Sequence, residues 1–332
     1  MPLIIPENYE SDLDIVHTQA AIKHIKDFFE KNLAQGLNLR RVSAPLFVKR
    51  STGVNDDLNG QVQSVFFVHD QETIEVVHSL AKWKRQALAN YEFETGTGLY
   101  TDMNAIRAME EVDNIHSYYV DQWDWEKVIR EDQLELNYLQ SIVSIIYEIL
   151  LRTENYVNYK YKLNHHLLSP TIHFVDTQEL LDKYPELTSK QREKEIVKEL
   201  GSVFLMRIGH KLSNGEPHDQ RAADYDDWNL NGDILVYNPI LDDVLELSSM
   251  GIRVNSEVLI QQMRLANRQK DLQLEFHQQL LDNQLPLTIG GGIGQSRLCM
   301  FFLQKAHIGE VQASVWPKEM EEECKRKKIH LL

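Results

Sequence analysis

The chain has 332 residues, 42% of them hydrophobic, enough to bury a sizeable core as one large domain or two. Its 50 acidic residues against 35 lysines and arginines leave a formal net charge of -15, which excludes a general attraction to nucleic acid or to an anionic membrane; a polyanion would have to be held locally. Two cysteines, Cys299 and Cys324, are too few for a disulfide framework and suit a reducing compartment. No basic-then-apolar leader is seen, and the longest apolar run, Ile142 to Leu151, is broken by Glu148 and too short to span a bilayer. These features predict a soluble cytoplasmic protein.

After a short stretch containing Pro2 and Pro6, residues 12–34 place Ile15, Ile22, Ile25 and Phe29 on one helical face, with Gly36 as the stop. Leu39, Val42 and the step Pro45-Leu46-Phe47 read as a strand closed by a proline, which belongs at an edge or an interface because it lacks an amide hydrogen. The polar stretch 51–60, STGVNDDLNG, is a surface turn or a loop whose Asp56 or Asp57 meets a cationic group of a ligand. Residues 62–68 and 73–77 predict a hairpin. The helix that follows begins HSLAKWKRQAL, and Lys82, Lys84 and Arg85 crowd its first turns, where cations oppose the macrodipole. Either they are solvated or an anion sits close by.

Arg107 lies in a polar loop, 104–114, between two strand-like stretches. In the second, a period of two puts Val120, Gln122, Asp124 and Glu126 on one face and Tyr119, Asp121, Trp123 and Trp125 on the other. A row of amide and carboxylate groups backed by large aromatics predicts a binding face; a fully solvated sheet face would give the same alternation.

Residues 134–152 predict the clearest helix, with Leu139, Ile142, Val143, Ile146 and Leu150 as its core stripe, and 156–161 is an aromatic-rich continuation. Residues 171–175 read as a strand, 177–181 as a short helix, 189–200 as a charged amphipathic helix ending at Gly201, and 202–208 as a buried strand. Between Arg221 and Arg253 come RAADYDDW, a strand over 231–238, a turn at 239–243 and a second strand leading into ELSSMGIR. Asp233 and Glu246 fall on opposite arms of this hairpin, where their oxygens could meet and hold a hard cation. Ser248, Ser249 and Arg253 follow on the second arm.

Residues 290–297, GGGIGQSR, carry four glycines in five positions, then Arg297, and open the apolar run Leu298 to Leu303. Glycine lets a backbone lie flat against a ligand, and arginine offers a fixed fork of donors to phosphate. The Lys-Ser or Lys-Thr of a P-loop is missing, and Arg297 takes the third glycine position of a dinucleotide fingerprint. A tight strand-to-helix turn with a solvated Arg297 is the plain alternative. No repeat or low-complexity tract divides the chain, so one domain is expected over 1–332.

An arginine between two antiparallel strands, a later acidic pair and a glycine-rich step ending in arginine resemble motifs 2 and 3 of class II aminoacyl-tRNA synthetases. QWDWE (122–126) and ELSSMGIR (246–253) are most similar to the aspartyl and asparaginyl branch, without the additional N-terminal domain that binds an anticodon. The segments VVHSLAKWKRQ, GLYTDMNAIR, YVDQWDWE, DYDDW, LNGDILV, ELSSMGIR and TIGGGIGQSRL are similar, nearly word for word, to the ammonia-dependent aspartate-ammonia ligases, the A-type asparagine synthetases. The likeness runs in order from about residue 12 to Trp316. Two departures are a short stretch at 228–230, where a loop covering the site is expected, and a charged tail with basic residues at Lys325 to Lys328.

The resemblance implies an α+β fold with an antiparallel sheet flanked by helices, a single catalytic domain, and a homodimer whose interface includes Pro45. It implies that ATP activates the β-carboxylate of L-aspartate as aspartyl-adenylate, releasing pyrophosphate, and that ammonia then displaces AMP to give L-asparagine. Carried onto this sequence, Arg107 holds the α-phosphate and Arg297 the γ-phosphate or the adenine face, with Ser248, Ser249, Arg253, Gly292 and Gly294 completing the nucleotide site. Asp233 and Glu246 hold Mg2+ between phosphates. Lys84 and Gln122 contact the carboxylate being activated, and Ser79, Asp56, Asp124, Asp226, Arg221, Tyr225 and Gly291 grip the rest of the amino acid. Asp56 or Asp124 would also attract ammonium and accept its proton.

Independently of the resemblance, taking nitrogen from glutamine needs an activated nucleophile, and neither Cys299 nor Cys324 lies near a credible base in the sequence. Free ammonia is the expected donor, with no nucleic-acid or membrane partner. The competing readings are a synthetase-like paralogue that adenylates the α-carboxylate and a non-catalytic binding or regulatory protein; retention of Arg107, Asp233, Glu246 and Arg297 together argues against the second.

Overall fold

Helix α1 (Ile15–Leu37) starts where Asp14 accepts a hydrogen bond from the His17 amide and ends at Asn38 in the left-handed region. The structure, a computed structural model, describes residues 3–56 and 64–332; Asp57 and residues 62 and 63 of the predicted hairpin lie outside them. The single strand expected up to Pro45 is instead two, β1 (Leu39–Arg41) and β2 (Phe47–Lys49), in different sheets, with Pro45 on the crossing between them. Strands β3 (Phe66–His69) and β4 (Glu72–Val76) form the predicted hairpin and join β2 in a three-stranded sheet. Next come α2 (Ala81–Asn90), β5 (Gly98–Ile106) and β6 (Tyr119–Val128). Helix α3 (Leu136–Tyr161) runs past its predicted end at 152, because the aromatic stretch 156–161 continues the helix.

The second half supplies β7 (His173–Asp176), α4 (Thr177–Lys183), α5 (Ser189–Leu200) and β8 (Ser202–Met206). The long hairpin β9 (Asp226–Asn238) and β10 (Asp243–Arg253) follows, then α6 (Ser256–Leu265), α7 (Glu275–Leu281), β11 (Thr288–Gly294), α8 (Gln295–Phe302) and α9 (Lys318–Arg326). The main sheet has eight strands in the order β1-β5-β6-β11-β10-β9-β8-β7. It is antiparallel from β5 to β8, but β1 runs parallel to β5 and β7 parallel to β8, so the sheet is mixed rather than wholly antiparallel.

The alternation in β6 sorts its residues as read. Trp123 and Trp125 are fully buried in the core that α1, α3 and α8 lay on the sheet, with the Trp123 and Phe29 rings 4.9 Å apart. Burying each indole contributes roughly 4–6 kcal/mol of transfer free energy. That anchorage fixes the opposite face, where Gln122, Asp124 and Glu126 point away from the core helices. The charged tail is also structural: α9 buries Met320 and Cys324 against the core, and Lys325 and Arg326 occupy its last turn, favourable for the helix dipole.

Candidate active site

The three β6 residues Gln122, Asp124 and Glu126 need room over the neighbouring strand, and β11 provides it by having no side chains there. Glycines 290, 292 and 294 lie opposite Glu126, Asp124 and Gln122 in an extended central strand, not in a turn, and none has a positive φ. A Cβ on Gly290 would stand 2.0 Å from Glu126 Oε2, and one on Gly292 2.5 Å from Gln122 Oε1 and 2.7 Å from Asp124 Oδ1. Glycines 290 and 292 are thus required by side chains packed on a bare backbone, and this strand forms the floor of a cavity of about 330 Å3.

Lys84, wholly buried on α2, donates to the Gly291 carbonyl at 2.9 Å and lies 3.3 Å from Asp124 Oδ2. Burial pulls its ammonium below the usual lysine range, against the attraction of Asp124. Its two sequence companions do different work. Lys82 pairs with Asp224 at 2.9 Å, and Arg85 donates to the carbonyls of Pro286 and Val254 at 2.9 and 2.7 Å, so neither is solvated nor faces the cavity. Ser79 and Gln122 line the cavity beside Lys84.

At one end of this floor Arg253 is held by carboxylates on two sides. It lies 2.7 Å from Glu126 Oε2 and bonds Asp226 through its other terminal nitrogen. Predicted as a nucleotide ligand, Arg253 lines the cavity but spends its fork on protein carboxylates, which hold its pKa above the ordinary arginine value despite burial. Burial drives Asp226 up, with Arg253 and Arg221 opposing. The Tyr225 hydroxyl donates to Asp56 Oδ2 at 3.2 Å, and its ring lies 5.7 Å from the Arg253 guanidinium. Asp56, Tyr225 and Asp226 all line the cavity.

The other end is cationic. Arg107 follows β5 directly, its amide bonded to Tyr118, and its Nε is buried without a hydrogen-bond partner among the described residues. Arg297, in the first turn of α8, donates to the Glu246 carbonyl at 3.2 Å and stands 3.8 Å from its carboxylate. Burial would raise Glu246, but Arg297, Arg221, Lys190 and Arg107 together hold it below the usual carboxylate range. Arg107, Arg221, Glu246, Ser249, Arg297 and glycines 291, 292 and 294 all line the cavity.

Two expected site residues are placed differently. Ser248 is buried and donates to the Gly292 carbonyl at 3.0 Å, tying β10 to β11 rather than facing the cavity. Asp233 lies opposite Ser249, while Glu246 lies opposite Leu235; Asp233 is bonded by Arg221, and its Oδ1 is buried without a partner among the described residues. Burial and the charge of Glu246 raise its pKa, with Arg221 opposing. Among the described residues, no group of three or more His, Cys, Asp or Glu gathers as a metal site.

Sequence reasoning missed Asp121, His116 and Gln312, which also line the cavity. Asp121 was grouped with the tryptophans by its alternation, and there it accepts from the Ser296 amide at 3.0 Å, from Lys26 at 3.1 Å and from Gln312 at 3.2 Å. It therefore caps the helix that carries Arg297. His116 pairs with Asp113 at 2.9 Å, a local Asp-x-x-His spacing that was visible but carries little specificity by itself.

A glycine floor, a buried lysine and carboxylate, and arginines around an acidic hairpin fit the arrangement that binds an acid and a nucleotide together. The family model AsnA, aspartate-ammonia ligase, matches residues 16–328. This chain belongs to the aspartate-ammonia ligase family. It is 55% identical over 333 residues to the aspartate–ammonia ligase of Clostridium perfringens strain 13, covering 99% of each chain, and 54% identical over 335 residues to that of Pediococcus pentosaceus, covering both in full. The family match extends through α9, so the charged tail lies within the matched span.

Solved structures give the fold. The chain is similar to Entamoeba histolytica asparaginyl-tRNA synthetase in complex with asparaginyl-adenylate, with a TM-score of 0.65, 15% identity, and coverage of 90% of this chain and 66% of that one. The asparaginyl-tRNA synthetase of Pyrococcus horikoshii gives a TM-score of 0.65 at 14% identity, covering 91% and 70%. The catalytic ligase fold is therefore α+β and of the class II synthetase type.

Proposed function

We propose that this ligase converts L-aspartate, ATP and ammonia to L-asparagine, AMP and pyrophosphate, activating the β-carboxylate as aspartyl-adenylate. The observation that carries the reading is the division of one cavity into a Lys84, Asp124 and Gln122 floor and an Arg107, Arg297 and Glu246 end. An acid and a triphosphate need these two environments side by side.

ATP enters with its phosphates toward the arginines. Arg107 meets the α-phosphate, whose equatorial charge grows as the aspartate carboxylate attacks, and Arg297 meets the far phosphates or the adenine face. Lys84 and Gln122 orient the attacking carboxylate over Gly291 and Gly292. Tyr225, Asp56 and Asp226, set around Arg253, hold the remainder of the amino acid, with Arg221 and Ser79 at the edges of that site. Ammonia then attacks the mixed anhydride carbonyl; a C–N bond forms, the bond to AMP breaks, and Asp124 or Asp56 takes the released proton.

Glu246, open to the cavity, and Asp233, with one oxygen lacking a partner among the described residues, suit a Mg2+ ion, which commonly takes one or two carboxylates and completes its shell with phosphates and water. When bound, the ion would neutralise phosphate charge. Ser249 lies beside this pair on β10.

Free ammonia as donor is supported by the thiols: burial pushes Cys299 up to about 12 and Cys324 up to about 11, so neither supplies the thiolate that glutamine hydrolysis needs. A homodimer is supported by the exposed apolar side chains of Leu46, Phe47, Phe66, Phe67 and Val68 around the Pro45 crossing. No helix among the described residues is long and apolar enough to cross a membrane, consistent with work in the cytoplasm.

The decisive experiment incubates the protein with aspartate, ATP and magnesium, adding ammonium, glutamine or neither, and follows asparagine, AMP and pyrophosphate. Equal asparagine and AMP with ammonium, and little with glutamine, is expected. ADP in place of AMP overturns the adenylate mechanism, and no turnover favours a binding protein.

A further inference from the structure

Most cavity side chains are fixed by ladders or helices, but Tyr225 ends a segment, 207–225, that has neither apart from one isolated bridge between Lys211 and Pro217, and Asp226 after it is the first residue of β9, opposite Arg253. The Tyr225 carbonyl accepts from the Val254 amide at 2.9 Å, and the chain that leads into this junction is held from outside the ladder. Asp224 immediately precedes Tyr225 and is absent from the cavity lining. Its Oδ2 accepts from Lys82 Nζ at 2.9 Å and His277 Nε2 at 3.0 Å. All three are almost solvent-free, at 2%, 4% and 0% exposure for Asp224, Lys82 and His277. Burial alone would raise the Asp224 carboxyl, but Lys82 and then His277 hold it well below the usual range.

The partners come from elements that matter. Lys82 sits on α2 two residues before Lys84, and His277 lies on α7. One carboxylate oxygen therefore ties the helix bearing Lys84 to the junction where the irregular segment ends at Tyr225 and β9 begins at Asp226, with α7 as backing. A buried ion pair is a poor route to stability compared with apolar packing of equal volume, but its directional bonds specify geometry.

We infer that Asp224 is a positioning residue: held by Lys82 and His277, it sets Tyr225 and Asp226 in the aspartate site in register with Lys84. The inference rests on the proposed reading that Tyr225 and Asp226 hold aspartate. Tyr225 reaches Asp56 and Asp226 reaches Arg253, so a displaced Asp224 shifts both contacts while leaving Arg107 and Arg297, on other elements, in place.

The test compares wild type, His277→Leu and His277→Gln by calorimetric binding of L-aspartate and of ATP with magnesium, and by KM for each. His277→Leu removes the donor to Asp224; His277→Gln retains an amide donor. Expected is an aspartate Kd and KM raised about tenfold in His277→Leu, ATP binding within twofold of wild type, and substantial recovery in His277→Gln. Equal weakening of both ligands with no recovery by glutamine, or unchanged aspartate binding, overturns the inference. If His277→Leu fails to fold, the double variant Lys82→Met with Asp224→Asn removes the charge on both partners, and selective loss of aspartate binding is again expected, with unchanged binding overturning it. Wild type that binds ATP but not aspartate refutes the underlying aspartate reading as well, which separates the two failures.

Discussion

The Lys84 ammonium lies 3.3 Å from Asp124 Oδ2 while donating to the Gly291 carbonyl at 2.9 Å, buried at the wall of the cavity. Under the proposed reaction, a buried cation so placed meets the negative charge of the carboxylate being activated. Replacing it by Met should lower pyrophosphate exchange dependent on aspartate on the order of 10²–10³-fold. It should also destabilise the fold by about 3–5 kcal/mol by leaving Asp124 without its ion-pair partner. Exchange kinetics and denaturant unfolding check the two effects separately; full activity in the variant would remove Lys84 from the chemistry.

Two glycines on one strand make opposite predictions. Gly292→Ala presses on Gln122 and Asp124, so activity should fall on the order of 10²-fold from a displacement of less than an ångström or so, with modest loss of stability. Gly290→Ala presses on Glu126 and Arg253, both buried, so stability should fall by several kcal/mol, on the order of a broken buried pair. Thermal unfolding and turnover of both variants distinguish them, and similar losses in each would mean that the strand simply tolerates no side chains.

Arg107 and Arg253 form a second contrast. Arg107 has a buried Nε without a partner among the described residues, and its nearest acid, Glu110, is 3.9 Å away, whereas Arg253 is committed to Glu126 and Asp226. Arg107→Ala should abolish adenylate formation with the melting temperature nearly unchanged. Arg253→Ala should strand two buried carboxylates and cost about 3–5 kcal/mol. Melting curves alone decide which arginine is structural.

The period of two in β6 was legible because burial on one face and binding on the other leave opposite chemistry at alternating positions. The glycines of β11 were legible as unusual but not as a strand: the cause at Gly290 and Gly292 is the side chains of Gln122, Asp124 and Glu126, more than 160 residues away, and no local signal reports that contact. The internal pairing of Arg253 and Ser248 was not legible for the same reason, since a phosphate ligand and a residue paired inside the fold look alike until the partner is known. Asp121 shows the limit of alternation, because a polar residue on the core face was needed to cap α8 at Ser296. Lys82 and Lys84, two residues apart, were inseparable in sequence; the helix turns one toward Asp224 and the other toward Asp124.

Glu246 and Asp233 predict a magnesium effect that differs from a phosphate effect. Glu246→Gln should raise the magnesium concentration for half-maximal activity at least tenfold, on the order seen when metal-site groups are altered, while aspartate binding in the absence of nucleotide stays unchanged. A magnesium titration at saturating ATP checks it. An unaltered titration would leave the acidic hairpin as a counter-charge to Arg221 and Arg297 rather than a metal site.

His307 makes a prediction about acid stability that is independent of catalysis. Its Nδ1 accepts from the Gly309 amide at 3.0 Å, its Nε2 lies 3.3 Å from the Met320 sulfur, and the Trp316 ring is 4.7 Å away, so the fold holds the neutral ring. Burial pulls its pKa down to about 4, with Asp113 opposing. Between that value and about 6.5, where a free histidine titrates, the unfolded chain binds a proton that the folded chain refuses, so stability rises with pH across this window and is lost as pH falls through it. The full contribution is on the order of 3 kcal/mol. Urea unfolding at steps from pH 7 to pH 4 should show a steeper loss in wild type than in His307→Gln, which retains an acceptor for Gly309 but cannot charge. Parallel slopes for the two proteins would assign the acid sensitivity to other groups.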